Sequence, residues 1–244
     1  MAATAARSAA SGVRDNGALP WLIQANRVRR AVPDAALGVT WHGEDRFIEV
    51  LRPFLTPDSK VLDVGCGGGR IARLIAPSVG QLVCSDAAEL MLDEARAALG
   101  EHSNVSYQLA DALVLNGLED GSFDLVYAHD VFVTFDPQQI LAALDSFRRV
   151  VKPGGVVVAS FYTIDRPEWA SEQIELARDG ARRGRFGPSQ PRPYTAAQID
   201  AWYEAVGLEP VDDRYGEVRD GERHYVAAGR AGSRPDRPPA EGST

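Results

Sequence analysis

Three aspartates follow short apolar runs one after another along the chain. They are Asp63 in Lys60-Val-Leu-Asp-Val64, Asp86 after Gln81-Leu-Val-Cys-Ser85, and Asp111 in Gln108-Leu-Ala-Asp-Ala112. Between the first two lies the loop Asp63-Val-Gly65-Cys-Gly67-Gly-Gly69-Arg70. Glycines let backbone approach a ligand closely, and a helix N-terminus behind such a loop offers N–H groups to a carboxylate or phosphate. Alone the loop is weak evidence: a dinucleotide fingerprint also fits Gly67, Gly69 and Ala72, and spacing does not exclude NAD. A carboxylate at Asp86, placed after the second apolar run, can accept hydrogen bonds from both ribose hydroxyls of a nucleoside cofactor. Asp111 can take one from an adenine amino group. Each acid singly also reads as a solvated loop residue or helix cap, but three at successive strand ends converge on one crevice.

Positioning these groups requires alternating strands and helices. Trp41 to Leu55 has helical apolar spacing, and Lys60–Val64 reads as a strand, followed by the Gly-rich loop and a helix from Arg70 to Ala76. The unit recurs as strand Gln81–Ser85 with helix Glu89–Leu99, strand Val105–Leu109, strand Phe123–Tyr127 with helix Pro137–Val150, and strand Gly155–Phe161 opened by the turn Lys152-Pro-Gly-Gly155. Such alternation, with near-continuous apolar strands, specifies a parallel sheet covered on both faces. Pro167 to Pro193 interrupts the rhythm with a helix from Glu168 to about Arg183 and a Gly/Pro/Ser loop, read as a lid insertion at about 165–193. A helix from Thr195 to Val206 follows, then strands Leu208–Val218 and Arg223–Ala228 joined by Arg219-Asp-Gly-Glu222, an antiparallel hairpin. Residues 1–19 and 230–244 lack apolar periodicity and are expected to be disordered tails around a folded body of residues 20–229.

The run Val61-LDVGCGGG-Arg70, with Asp86, Asp111, Phe123-DLVYAHDV-Phe132 and Arg149-VVKPGGVVVAS-Phe161, resembles class I SAM-dependent methyltransferases over roughly Trp41 to Ala228. That resemblance implies an α/β, doubly wound, Rossmann-like seven-stranded sheet, with five parallel strands and a C-terminal antiparallel hairpin. It implies S-adenosyl-L-methionine as cofactor. Gly65 and Gly67 would flank its methionyl moiety, Asp63 would support the amino group, and Asp86 would hold the ribose. Asp111 would take the adenine amino group and Ala112 would offer a backbone N–H to the ring, with Ala87 and Met91 also contacting the cofactor. The carbonyl of His129 would approach the methionyl amino group. A metal-assisted catechol-type mechanism needs oxygen ligands after the fourth and fifth strands. Asp130 suits the first location, but Phe161-Tyr-Thr-Ile-Asp165 lacks the acidic-amide pair, so no metal is expected.

For the acceptor's proton, His129 and Asp130 after the fourth strand are the candidate bases, with His42, Tyr162 and His224 behind them. Each also reads as an ordinary hydrogen-bonded polar group. Strand alternation predicts that only one of His129 and Asp130 faces the crevice.

Composition narrows the partners. Lys plus Arg number 26 against 34 Asp plus Glu, a net charge of -8 that argues against nucleic acid as the main partner. Only Lys60 and Lys152 are lysines, so arginine abundance reads as codon bias, and Arg178, Arg182, Arg183 and Arg185 read as a solvated face before they read as an anion grip. No apolar run approaches the roughly 18 residues of a membrane span. Cys66 and Cys84 are too few for a disulfide framework, and the N-terminus lacks a secretory core, so cytoplasmic residence is expected. The main reading is methyl transfer to O or N of a small molecule. A SAM-binding protein with a non-methylating reaction or regulatory role stays open, as does a nicotinamide oxidoreductase.

Overall fold

The computed structural model describes residues 44–165, 169–183, 192–211 and 224–232. Seven strands form one sheet: β1 (Lys60–Val64), β2 (Gln81–Asp86), β3 (Val105–Leu109), β4 (Phe123–Ala128), β5 (Val151–Tyr162), β6 (Leu208–Pro210) and β7 (His224–Ala231). Their order is β3-β2-β1-β4-β5-β7-β6. The first five run parallel, and β7 is antiparallel to both β5 and β6, as the sequence leads one to expect. Order reverses at β1, which pairs β2 on one side and β4 on the other. Crevices for ligands open at such a switch point, beyond the carboxyl ends of the strands.

The apolar strands are covered on both faces. Leu62, Val64, Val126, Ala128, Val157 and Ala159 point into one core with α4 (Pro137–Val150) and α6 (Ala196–Ala205). Val61, Cys84, Leu125, Tyr127 and Val158 point into the other, with α1 (Glu44–Leu51), α2 (Ala72–Ile75) and α3 (Glu89–Leu99). Reciprocal capping boxes start two of these helices, Asp136 with Gln139 for α4 and Thr195 with Gln198 for α6. A further helix, α5 (Trp169–Arg183), lies in the insertion. The insertion's two ends meet, since Thr163 bridges Tyr194, Ile164 N–H donates to the Tyr194 carbonyl, and Arg192 N–H donates to the Val133 carbonyl. Among the described residues, no helix is long and apolar enough to cross a membrane.

Four expectations change. Helix α1 stops at Leu51 and a 3-10 turn, Arg52–Phe54, replaces its continuation because Pro53 removes an N–H. The helix after the Gly-rich loop is only Ala72–Ile75, followed by a 3-10 turn at Ala76–Ser78 that contains Pro77. Lys152-Pro-Gly-Gly155 does not precede β5 but bulges within it: Phe123 pairs with Val151 and Leu125 with Val156. Strand β6 is described over Leu208–Pro210, with Val211 N–H still reaching the Ala228 carbonyl and the rest of the expected strand, 212–218, outside the described residues, and β7 continues past Gly229 to Ala231. The turn Arg219–Glu222, residues 1–19 and 233–244, His42 and Arg185 lie outside the described residues.

Candidate functional site

Register sets the floor of the site. Asp63, next to the end of β1, has Cys84 and Tyr127 as its cross-strand partners, so all three side chains share one face. Asp63 is 3% exposed and Tyr127 is fully buried. Neither Asp63 Oδ2 nor Tyr127 Oη has a hydrogen bond of ordinary geometry. Burial raises the Asp63 pKa from 3.8 to about 7; the nearby Tyr127 hydroxyl and Arg70 oppose the rise and Asp86 adds to it. Burial likewise pushes the Tyr127 phenol well above its usual value. The neighbouring Cys84 thiol, together with burial, pushes the Cys66 thiol up, which keeps it protonated.

The Gly-rich loop folds back on β2. Gly65 and Cys66 N–H donate to the Ser85 carbonyl at 2.8 and 2.9 Å, and Gly67 N–H donates to Asp86 Oδ2 at 3.1 Å. Its backbone donors are thus largely spent inside the protein, and the short α2 behind it adds little dipole, contrary to the anion cradle that the sequence suggested. Two positive φ angles show what the glycines do. At Gly65 (φ +70°) a Cβ would strike Val131 Cγ2 at 2.5 Å, whereas at Gly67 (φ +52°) it would meet nothing within 4 Å. Gly65 therefore allows close packing, and Gly67 borders open space.

Asp86 ends β2 at the rim of that space. Its Oδ1 accepts from Ala88 N–H at 2.9 Å, and burial raises its pKa to about 6, against backbone hydrogen bonds from Ala88, Gly67 and Ala87. Ala110 N–H donates to the Asp86 carbonyl, which brings the loop after β3 alongside. There Asp111 is buried and organises a turn, its Oδ1 accepting from Leu113 N–H at 2.9 Å. Ala87, Ala112 and Met91 flank these acids half-buried, Met91 in the first turn of α3.

Across the crevice, the chain leaves β4 at Ala128. Asp130 takes a left-handed φ of +60°, fixed by its N–H donating to Ser160 Oγ at 2.9 Å. This turn brings the Asp130 carboxylate back to His129, with Oδ2 3.4 Å from Nε2, so the expected alternation of the two side chains does not hold. Arg70 from the Gly-rich loop donates to the same Oδ2 at 3.0 Å. The His129 ring packs on Phe47 of α1 with centroids 4.3 Å apart, and its side chain is 6% exposed. Sequence reasoning gave no role to Arg70, Tyr127 or Phe47. Tyr162 ends β5 half-buried, its carbonyl accepting from Tyr194 N–H. Arg178 is exposed and paired with Glu175, the solvated arrangement rather than a grip. The side chains of Arg183 and His224 lie outside what is described.

A family model described as a methyltransferase domain matches residues 61–155, the stretch from β1 to the β5 bulge. The chain is 40% identical over 110 residues to a ubiquinone biosynthesis O-methyltransferase of Thiobacillus denitrificans, covering 44% of this chain and 45% of that protein. It is 32% identical over 116 residues to an uncharacterized methyltransferase, sll0829, of Synechocystis, covering 47% and 53%. The chain thus spans about half the length of these curated relatives. Among solved structures it resembles magnesium protoporphyrin IX methyltransferase of Synechocystis with bound SAH, with a TM-score of 0.58 at 17% identity over 77% of this chain and 81% of that one. At that identity the likeness is one of fold.

Proposed function

Because residues 61–155 match a methyltransferase-domain model and curated methyltransferases match about half of the chain, we propose that this is a class I methyltransferase that transfers a methyl group from S-adenosyl-L-methionine to an oxygen or nitrogen of a small molecule. The observation that carries this reading is the set of three carboxylates, Asp63, Asp86 and Asp111, at or just past the ends of three adjacent strands around the open space at Gly67. The residues fit the cofactor. Asp63 Oδ2 is a buried acceptor lacking a donor, suited to an ammonium group, and Asp86 stands at the rim for ribose hydroxyls. Asp111, with Ala112, suits the adenine edge, while Gly65 and Gly67, Ala87, Met91 and the His129 carbonyl would complete the surround. Engagement of the Gly65, Cys66 and Gly67 N–H groups by Ser85 and Asp86 favours this over a dinucleotide, whose pyrophosphate needs such donors turned outward.

When bound, the cofactor supplies a methyl group activated by the positive sulfonium. The chain's part is to orient the acceptor, exclude water and take a proton where the accepting atom carries one. Phe47 and α1 shield the end of β4. We assign the proton to the His129 imidazole, since the Asp130 carboxylate is already engaged by Arg70, and Asp130 then orients the ring through Nε2. A small acceptor belongs to the same proposal, supported by the acidic charge balance that disfavours nucleic acid, as does cytoplasmic residence, supported by the two free cysteines.

Incubating the full chain with SAM and a panel of phenols, carboxylic acids and amines, and following S-adenosylhomocysteine release, tests the reaction. Acceptor-dependent release is expected. Binding of SAM without release on any acceptor would favour the regulatory reading. On the acceptor found, His129→Ala should lower turnover about a hundredfold or more and spare cofactor affinity.

A further inference from the structure

Tyr127 lies in the middle of the sheet, flanked on its own face by the aliphatic Leu125 and Val158. Its hydroxyl is withdrawn from water without a hydrogen bond of ordinary geometry, and the same holds for Asp63 Oδ2 across the β1–β4 register. A buried hydroxyl left in this state is unfavourable unless something completes it, so it points to a function. We propose that Tyr127 is a positioning residue of the cofactor site, its hydroxyl donating to the Asp63 carboxylate so that the other oxygen is aimed at the ammonium group of the ligand. This rests on the methyltransferase reading and adds to it a residue at the back of the pocket, outside the Gly-rich loop.

The groups facing Asp63 determine how the contribution is read. From β4 there is Tyr127, from β2 Cys84 and the terminal Asp86, and from the Gly-rich loop Cys66 and Arg70. His129 and Asp130 stand beyond Tyr127 at the end of β4, and α1 contributes Phe47, Val50 and Leu51 to that face, with Glu49 exposed. The Cys84 thiol and burial keep Cys66 protonated, and Asp63 and Asp86 are the acids whose ionisation binding must favour. Tyr127 is the neighbour whose hydroxyl helps Asp63 ionise. Loss of that hydroxyl therefore moves the Asp63 midpoint to higher pH and leaves Asp86 unchanged.

The test is calorimetric titration of S-adenosylhomocysteine into the full chain from about pH 5.5 to about pH 8, for the parent, Tyr127→Phe, Asp63→Asn and the double variant, with unfolding midpoints measured without ligand. In Tyr127→Phe, affinity at neutral pH should fall about tenfold, as for a hydrogen bond to a charged group, and the rise of affinity with pH should shift upward. Its unliganded unfolding midpoint should change little at about pH 5.5, where Asp63 is protonated and the hydroxyl supports no charge, and should fall only modestly above about pH 7. In the Asp63→Asn background the Phe substitution should have little further effect on affinity. The inference is overturned if Tyr127→Phe binds like the parent at every pH, if it loses as much affinity in the Asp63→Asn background, or if it unfolds the unliganded chain. A parent that binds no S-adenosylhomocysteine at any pH overturns the methyltransferase reading, and this inference with it.

Discussion

Replacing Asp63 with Asn should stabilise the ligand-free protein near neutral pH, although it removes a residue of the site. The folded-state pKa of Asp63 is raised from 3.8 to about 7 by burial. A raised folded pKa means that the native state holds a proton which the unfolded chain has already released. The stability that this proton represents is complete below about pH 4, declines as pH rises, and is gone once pH passes about 7. At 1.36 kcal/mol per tenfold change in proton affinity, the penalty reaches about 4 kcal/mol above neutrality, an upper figure because local relaxation and entering water reduce it. Asparagine has the same shape without the charge. Urea unfolding of parent and Asp63→Asn at about pH 5, 6, 7 and 8 should therefore give a stability difference that grows by roughly 1 kcal/mol per pH unit and levels off above about pH 7. Saturating S-adenosylhomocysteine should narrow the gap, since only the parent has a carboxylate for its ammonium. A difference that is flat with pH, or a variant uniformly less stable than the parent, would show that Asp63 is not a strained buried acid.

The two glycines should separate packing from binding. Gly65→Ala, whose Cβ would meet Val131 Cγ2 at 2.5 Å, should lower stability by about 2 kcal/mol or more, whereas Gly67→Ala, facing open space, should cost only about 1 kcal/mol for its positive φ while weakening S-adenosylhomocysteine binding. Thermal unfolding and calorimetry on both variants check this. Asp86→Asn should remain folded and lose at least about tenfold in cofactor affinity, the value of a charged acceptor on ribose hydroxyls. Arg70→Gln removes the guanidinium from Asp130, where both side chains are 12% exposed, and should lower stability by about 1 to 3 kcal/mol in denaturant unfolding.

What is legible in the sequence follows locality. Strands β1, β2 and β4 read directly because strands buried on both faces are largely apolar runs, whereas β3, half-exposed at the sheet edge, reads from its alternation; Asp63, Asp86 and Asp111 lie at or near the ends of β1, β2 and β3. The hairpin orientation follows from the order of elements. In contrast, Lys152-Pro-Gly-Gly155 carries turn chemistry in either place, and only the pairing of Phe123 with Val151 makes it a bulge inside β5. The left-handed turn at Asp130 has no local signature, since it is fixed by Ser160 on the neighbouring strand. Tyr127 reads as core from alternation alone, and its relation to Asp63 depends on register between β1 and β4, which no local pattern encodes. Arg70 stands in the quoted motif, but in a chain with 24 arginines among its 26 basic residues its type carries no signal.

The claim on which the rest depends is that the crevice around Gly67 holds S-adenosyl-L-methionine. Parallel calorimetric titrations of the full chain with S-adenosylhomocysteine and with NADH test it most directly. The expected result is saturable binding of S-adenosylhomocysteine to one site per chain, weakened at least about tenfold by Asp86→Asn, and no heat from NADH beyond dilution. Saturable NADH binding with no response to S-adenosylhomocysteine would contradict it.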